Sequence, residues 1–212
     1  MFRDRKEAGE RLAAQLVHLQ GRRPVVLALP RGGVAVAFEI ARLLGAPLDV
    51  VLVRKIGVPG QPELALGAVA DGGAPEVFID ERMQEALAIS GDYVREETAR
   101  QLAELERRRK LYRAGRRAPA IEGRTVIVVD DGIATGGTAK AVLRALAMQK
   151  AGRVILAVPV APSDALEELA PEADEVVCLA SPEPFFAVGE HYRDFTQTTD
   201  EEVVDLLQKA AR

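Results

Sequence analysis

Four consecutive β-branched residues, Val126-Ile127-Val128-Val129, stand in this chain without the polar alternation of a half-solvated strand. Successive strand side chains point to opposite faces, so such a run needs apolar cover on both sides. That requirement selects a parallel sheet enclosed between helices. Pro24 to Leu29, Leu48 to Val53, Arg153 to Val160 and Glu175 to Leu179 read as further strands of the same kind. Helical periodicity leads up to Leu44, runs from about Ala139 to Gln149, and returns from Asp164 to Leu169. A helix from about Asp4 to Gln20 would turn Ala8, Leu12, Leu16 and Leu19 to one side of the core. Strands alternating with helices imply right-handed crossovers, and ligands of such sheets bind beyond the carboxyl ends of the strands. The predicted fold is therefore α/β and Rossmann-like, a parallel β-sheet flanked by helices.

At 212 residues the chain suits one domain with a large core. Its parts would be a core over about 22–181, an insertion over about 56–123, and a C-terminal, hood-like tail over about 182–212. The insertion reads as strands from Leu64 to Ala70 and Glu76 to Ile79, followed by helices from Asp80 to Ile89 and Asp92 to about Tyr112.

The β-branched run ends in two carboxylates, Asp130-Asp131, and continues as Gly132-Ile133-Ala134-Thr135-Gly136-Gly137-Thr138 before a helix. Backbone N–H groups at a helix start attract an anion, and glycines let a phosphate come close to the backbone. Thr135 and Thr138 add hydroxyl donors. Adjacent carboxylates repel each other, and are tolerable where they accept hydrogen bonds from a diol or lie near a divalent cation. A ribose 5-phosphate presents both a diol and an anion. A Walker A loop is excluded because no lysine precedes Thr138, and a dinucleotide fingerprint because the acids precede the glycines.

The segment Val126–Thr138 closely resembles the phosphoribosyl pyrophosphate (PRPP) motif of the type I phosphoribosyltransferases, and among these the chain is most similar to bacterial members whose acceptor is unassigned. The resemblance covers roughly Val25 to Leu179. It implies that Asp130 and Asp131 hold the ribose hydroxyls, and a magnesium ion indirectly or through PRPP, and that Gly132 to Thr138 wrap the 5-phosphate. In that family the loop after the first strand binds pyrophosphate, often with a non-proline cis peptide. Here it would be Pro30-Arg31-Gly32-Gly33, with the Arg31–Gly32 bond as the candidate. Arg54-Lys55 resembles the Arg-Lys of adenine and orotate phosphoribosyltransferases, so Lys55, with Arg31, would act on the leaving group. The implied reaction is transfer of ribose 5-phosphate to a nitrogenous base, purine-like by a narrow margin, with Mg²⁺ as cofactor and release of pyrophosphate.

Other residues depart from the better-known members. Ala134 stands where some purine salvage enzymes carry an acid, so no general base is assigned. Glu63, Glu96 and Glu97 lie in the insertion, as solvated carboxylates or as parts of a lid. Pro184 to Gly189 is similar to the Phe-Val-Val-Gly segment of hypoxanthine-guanine phosphoribosyltransferases, so Phe186 either stacks on a base or packs in the core. His191-Tyr192-Arg193-Asp194-Phe195 either lines a base pocket, with His191 a candidate acid-base group, or covers the sheet edge. No lysine follows the strand ending at Val160, which weakens a hypoxanthine or guanine acceptor. A non-catalytic PRPP- or nucleotide-binding regulatory module stays open as the alternative.

The formal net charge of −4 provides no global attraction for nucleic acid, and Arg107 to Lys110 reads as a solvated helix face. A single cysteine, Cys178, permits no internal disulfide. The expected partners are small molecules, with no nucleic acid and no membrane. A cytoplasmic location is expected, and a homodimer is expected by analogy alone.

Overall fold

The computed structural model describes residues 1–71 and 75–211, without the side chains of residues 62, 63, 75 and 76. The chain runs through α1 (Arg5–Gln15), β1 (Val25–Ala28), α2 (Gly32–Leu44), β2 (Leu48–Val50), β3 (Val53–Val58), β4 (Gln61–Asp71) and β5 (Pro75–Ile79). It continues through α3 (Glu81–Ala86), α4 (Gly91–Arg113), β6 (Thr125–Val129), α5 (Gly137–Met148), β7 (Arg153–Val160), α6 (Ser163–Leu169), β8 (Glu175–Ala180) and α7 (Asp200–Ala210).

Five strands form a parallel sheet in the order β2-β1-β6-β7-β8. Apart from the half-buried edge strand β8, both of its faces are dry. Val26, Ala28, Ile127, Val129, Ile155 and Ala157 face Leu12, Leu16, Ile40, Val203 and Leu207 of α1, α2 and α7. The alternate residues Val25, Leu27, Val126, Val128, Leu156 and Val158 face Leu143, Leu146 and Leu169 of α5 and α6. An uninterrupted β-branched run is what such two-sided cover permits.

Strand order reverses between β1 and β6, since β2 lies on one side of β1 and β6 on the other. The loops leaving these two strands open a crevice at that point, which is where α/β sheets hold ligands.

Val53 was expected to end the second core strand, but it opens β3 of a separate three-stranded antiparallel sheet, β3-β4-β5. Val51 still donates its N–H to the Ala28 carbonyl at 3.0 Å, whereas the Leu52 carbonyl accepts from Asp71 of β4 at 2.9 Å. The chain thus changes sheets between two adjacent residues. Arg54 and Lys55 consequently lie on an antiparallel strand, with Lys55 paired to Ala68.

Helix ends follow local chemistry. Asp4 caps α1 by accepting the Glu7 N–H at 2.7 Å, and Ser90 caps α4 through Tyr93 at 3.2 Å. Thr199 and Glu202 form a reciprocal capping box at the start of α7. That helix lies within the tail, where the sequence suggested only a hood.

Candidate functional site

The crevice between β1 and β6 is held closed at its base by Leu29, whose N–H donates to the Val129 carbonyl at 2.8 Å. Two glycines allow the loops to approach so nearly. A side chain at Gly32 would overlap the Asp131 carboxylate, and a Cβ at Gly33 would come within 2.7 Å of the Val129 carbonyl oxygen and 2.9 Å of Asp130 Cα. Gly33→Ala should accordingly destabilise the protein by about 1 kcal/mol or more despite alanine's better helix propensity, because both obstacles are backbone. Urea unfolding would measure this, and unchanged stability would show that the loop can shift.

Asp130 and Asp131 cap the carboxyl end of β6. The Asp131 N–H donates to Asp130 Oδ1 at 2.8 Å. Burial, followed by the charge of Asp131, raises the Asp130 pKa well above the ordinary carboxylate value. Asp131 has a cationic partner: Arg5 Nε donates to its Oδ2 at 2.7 Å. The Tyr192 hydroxyl donates to the Asp131 backbone carbonyl at 2.6 Å. The segment before α1 meets the tail here, since the Phe2 N–H donates to the His191 carbonyl at 2.7 Å and the Arg193 N–H to that of Phe2 at 2.9 Å.

The loop from Gly132 leads directly into α5. Gly136 adopts a left-handed conformation, φ 73°, as the residue before the helix, and no side chain caps its end. Ala134, Thr135 and Thr138 are exposed. Ile133 points inward, 3% exposed, and its N–H donates to the Val160 carbonyl at 2.9 Å, so that amide is engaged within the protein. Lys55 reaches the same helix start: its Nζ lies 3.7 Å from where a side chain on Gly137 would begin.

Beside the acids lies a cleft of about 210 Å³, bordered by Pro30, Arg54, Arg108, Asp130 and Thr138. Arg54 is oriented by a relay: its Nε donates to Gln101 at 2.9 Å, and Gln101 donates to the buried Glu97 at 2.6 Å. Arg108 donates through Nε to Glu104 at 2.7 Å, and hydrogen bonds from Arg107 and Arg108 hold the Glu104 pKa near 2. The cis peptide falls at Pro30–Arg31, one bond before the expected position. The Arg31–Gly32 bond instead leads into α2, whose first residue is Gly32. Burial and a hydrogen bond to Asp200 push the Tyr112 pKa up to about 12, an effect that the charges of Arg108 and Arg31 oppose.

The structure thus brings Asp130, Asp131, the Gly132–Thr138 loop, Gly32, Gly33, Lys55 and Arg54 to one end of the sheet. Phe186 is not in the core, being 74% exposed. Its neighbour Phe185 stacks on His191 with ring centroids 5.1 Å apart. Glu96 is exposed and Glu97 is buried in the Arg54 relay, while the side chain of Glu63 falls outside those described. Arg5 and Arg108 were missed because no local motif marks them, whereas Tyr192, expected in a base pocket or at the sheet edge, instead holds the Asp131 backbone. Arg5 sits in an ordinary amphipathic helix, and Arg108 in a run of charges that reads as a solvated face.

The model of the phosphoribosyl transferase domain matches residues 3–194. Two Mycobacterium tuberculosis proteins, MT0597 and Rv0571c, named provisionally as phosphoribosyl transferases, are each 51% identical over 214 residues, covering 100% of this chain. The chain spans 47% of the length of these relatives. The crystal structure of TT1426 from Thermus thermophilus is 48% identical and superposes with a TM-score of 0.88, covering 98% of each chain. AQ2163 from Aquifex aeolicus, 14% identical with a TM-score of 0.51 over 96% of this chain and 83% of that one, shares the fold alone.

Proposed function

The chain belongs to the phosphoribosyl transferase domain family as a type I member, and from that premise we propose that it transfers the ribose 5-phosphate of PRPP to a nitrogenous base with release of pyrophosphate. The observation that carries this reading is the meeting of Asp130-Asp131 with the Gly32-Gly33 loop, the open start of α5 and a cation-lined cleft at one sheet end. Each part matches one group of PRPP. Carboxylates accept the ribose hydroxyls, and the amides of residues 134–138 with the Thr135 and Thr138 hydroxyls face the 5-phosphate.

Leaving-group charge develops as the bond from the anomeric carbon to pyrophosphate breaks and the base nitrogen attacks. Arg54 and Arg108 border the cleft that would receive it, and Arg31 stands at the start of α2 in the loop that follows β1. Lys55 stands at the start of α5, beside Gly137, and contributes a compact positive charge there. Catalysis on this reading is positioning plus electrostatic stabilisation in the crevice between the loops that follow β1 and β6.

Among the described residues, no group of three or more His, Cys, Asp or Glu forms a protein cage for a metal. That donor set fits a magnesium ion, which keeps waters and substrate phosphates as ligands and needs only one or two carboxylates. Asp130, with Asp131 beside it, would hold the ion, which would neutralise charge on the pyrophosphate.

The acceptor side has fewer marks. Exposed Phe186 offers a π face to a planar base such as a purine. Incubation with PRPP, Mg²⁺ and a panel of purines and pyrimidines should release pyrophosphate with at least one acceptor. Binding of PRPP without release from any of them would replace the transferase by a regulatory PRPP-binding module.

A further inference from the structure

The acidic pair of the site has its counter-charge built in, supplied by a helix 126 residues away in the sequence. Arg5 lies in the first turn of α1, and its ion pair with Asp131 is largely shielded, the two side chains being 12% and 14% exposed. Its Nη1 donates to the Thr196 carbonyl at 2.8 Å, and its guanidinium carbon lies 4.0 Å from the centroid of the Phe195 ring. A carboxylate, a tail carbonyl and an aromatic face therefore hold one planar cation in place. The same group borders the pyrophosphate loop, since a Cβ on Gly32 would lie 3.0 Å from Arg5 Nε. Tyr192 holds the Asp131 backbone from the tail side.

We propose that Arg5 is a positioning residue of the PRPP site: it fixes the Asp131 carboxylate in the orientation that receives the ribose hydroxyls and relieves its repulsion with Asp130. This inference rests on the PRPP reading above. Without the guanidinium, two adjacent carboxylates share a confined end of the sheet, and Asp131 gains by turning away from Asp130. Lysine would restore the charge but not the planar fork that engages several partners at once.

Calorimetric titration of PRPP with Mg²⁺ into wild type, Arg5→Ala, Arg5→Lys, Asp131→Asn and the Arg5→Ala/Asp131→Asn double variant tests the inference. Arg5→Ala should weaken binding by at least about tenfold, as expected for coupled groups in contact. Arg5→Lys should recover part of that loss. With Asp131→Asn already present, Arg5→Ala should add less than about a twofold effect. A purely structural role would instead lower affinity in proportion to the loss of melting temperature, with no dependence on Asp131. Wild-type affinity in Arg5→Ala, or effects that multiply in full, would overturn the proposal. Should Arg5→Ala not fold, Arg5→Gln, which keeps a donor and loses the charge, is expected to bind as weakly, and wild-type affinity there would be equally decisive. Absence of PRPP binding by the wild-type protein would refute the underlying reading, and this inference with it.

Discussion

Replacing Asp130 and Asp131 together by Asn is expected to weaken PRPP binding by roughly 10²- to 10⁴-fold, corresponding to two charge-assisted hydrogen bonds of about 1.5–3 kcal/mol each. The geometry favours a large effect because the carboxylates lie at the carboxyl end of the central β6, bounded by the Gly32-Gly33 loop and the start of α5. They have no room to be replaced by water without loss of the ribose contacts. Asn keeps the shape and removes the buried charge and the repulsion that together raise the Asp130 pKa, so circular dichroism should report an intact fold. Calorimetric titration of PRPP would measure the affinity. A loss below about threefold would refute the assignment of the ribose contacts, since that is less than one ordinary hydrogen bond.

The core of this fold was legible because its signals are local. Val126–Val129 shows two-sided burial directly, and Arg153–Val160 appears with the boundaries that its composition suggests. The loop between β6 and α5 was equally readable as a loop, since its glycines and acids are contiguous. What was not readable depends on long-range geometry. The break between Val51 and Leu52 lies within an apolar run, and nothing in its hydropathy marks the transfer to a second sheet. Lys55 was placed at the end of a core strand by that run, whereas its pairing with Ala68 carries it to the start of α5. The capping box at Thr199 was a local signal and could have marked α7. Arg5 had no such signal, because its partner is 126 residues away. A site assembled from a contiguous loop and distant cations is therefore half visible in sequence, and the visible half is the one proposed for the donor.

Arg113→Met is expected to cost about 3–5 kcal/mol of stability, the cost of leaving a buried ion pair uncompensated. Arg113 ends α4 and joins two strands of different sheets: its Nε donates to Asp49 of β2 at 2.7 Å, and Nη1 to Asp71 at the end of β4. The side chains of Asp49 and Asp71 are 5% and 1% exposed, so neither charge can be rescued by solvent. For a chain of this length the melting temperature should fall by roughly 6–20 °C. Burial already raises the Asp49 pKa even with the guanidinium beside it. The native state then binds a proton more tightly than the unfolded chain, so the Asp49 contribution is fully present below the unfolded pKa and is lost as pH rises through the folded one. Removal of Arg113 raises that folded pKa further, so the deficit should be greatest at neutral and alkaline pH and shrink on acidification. Scanning calorimetry between mildly acidic and alkaline pH would show the trend. Replacing all three groups by apolar residues should restore most of the loss, because a packed apolar cluster avoids the desolvation that the ions incur. A pH-independent deficit in Arg113→Met would instead mean that the residue acts through packing of its stem, with the two carboxylates compensated by other groups.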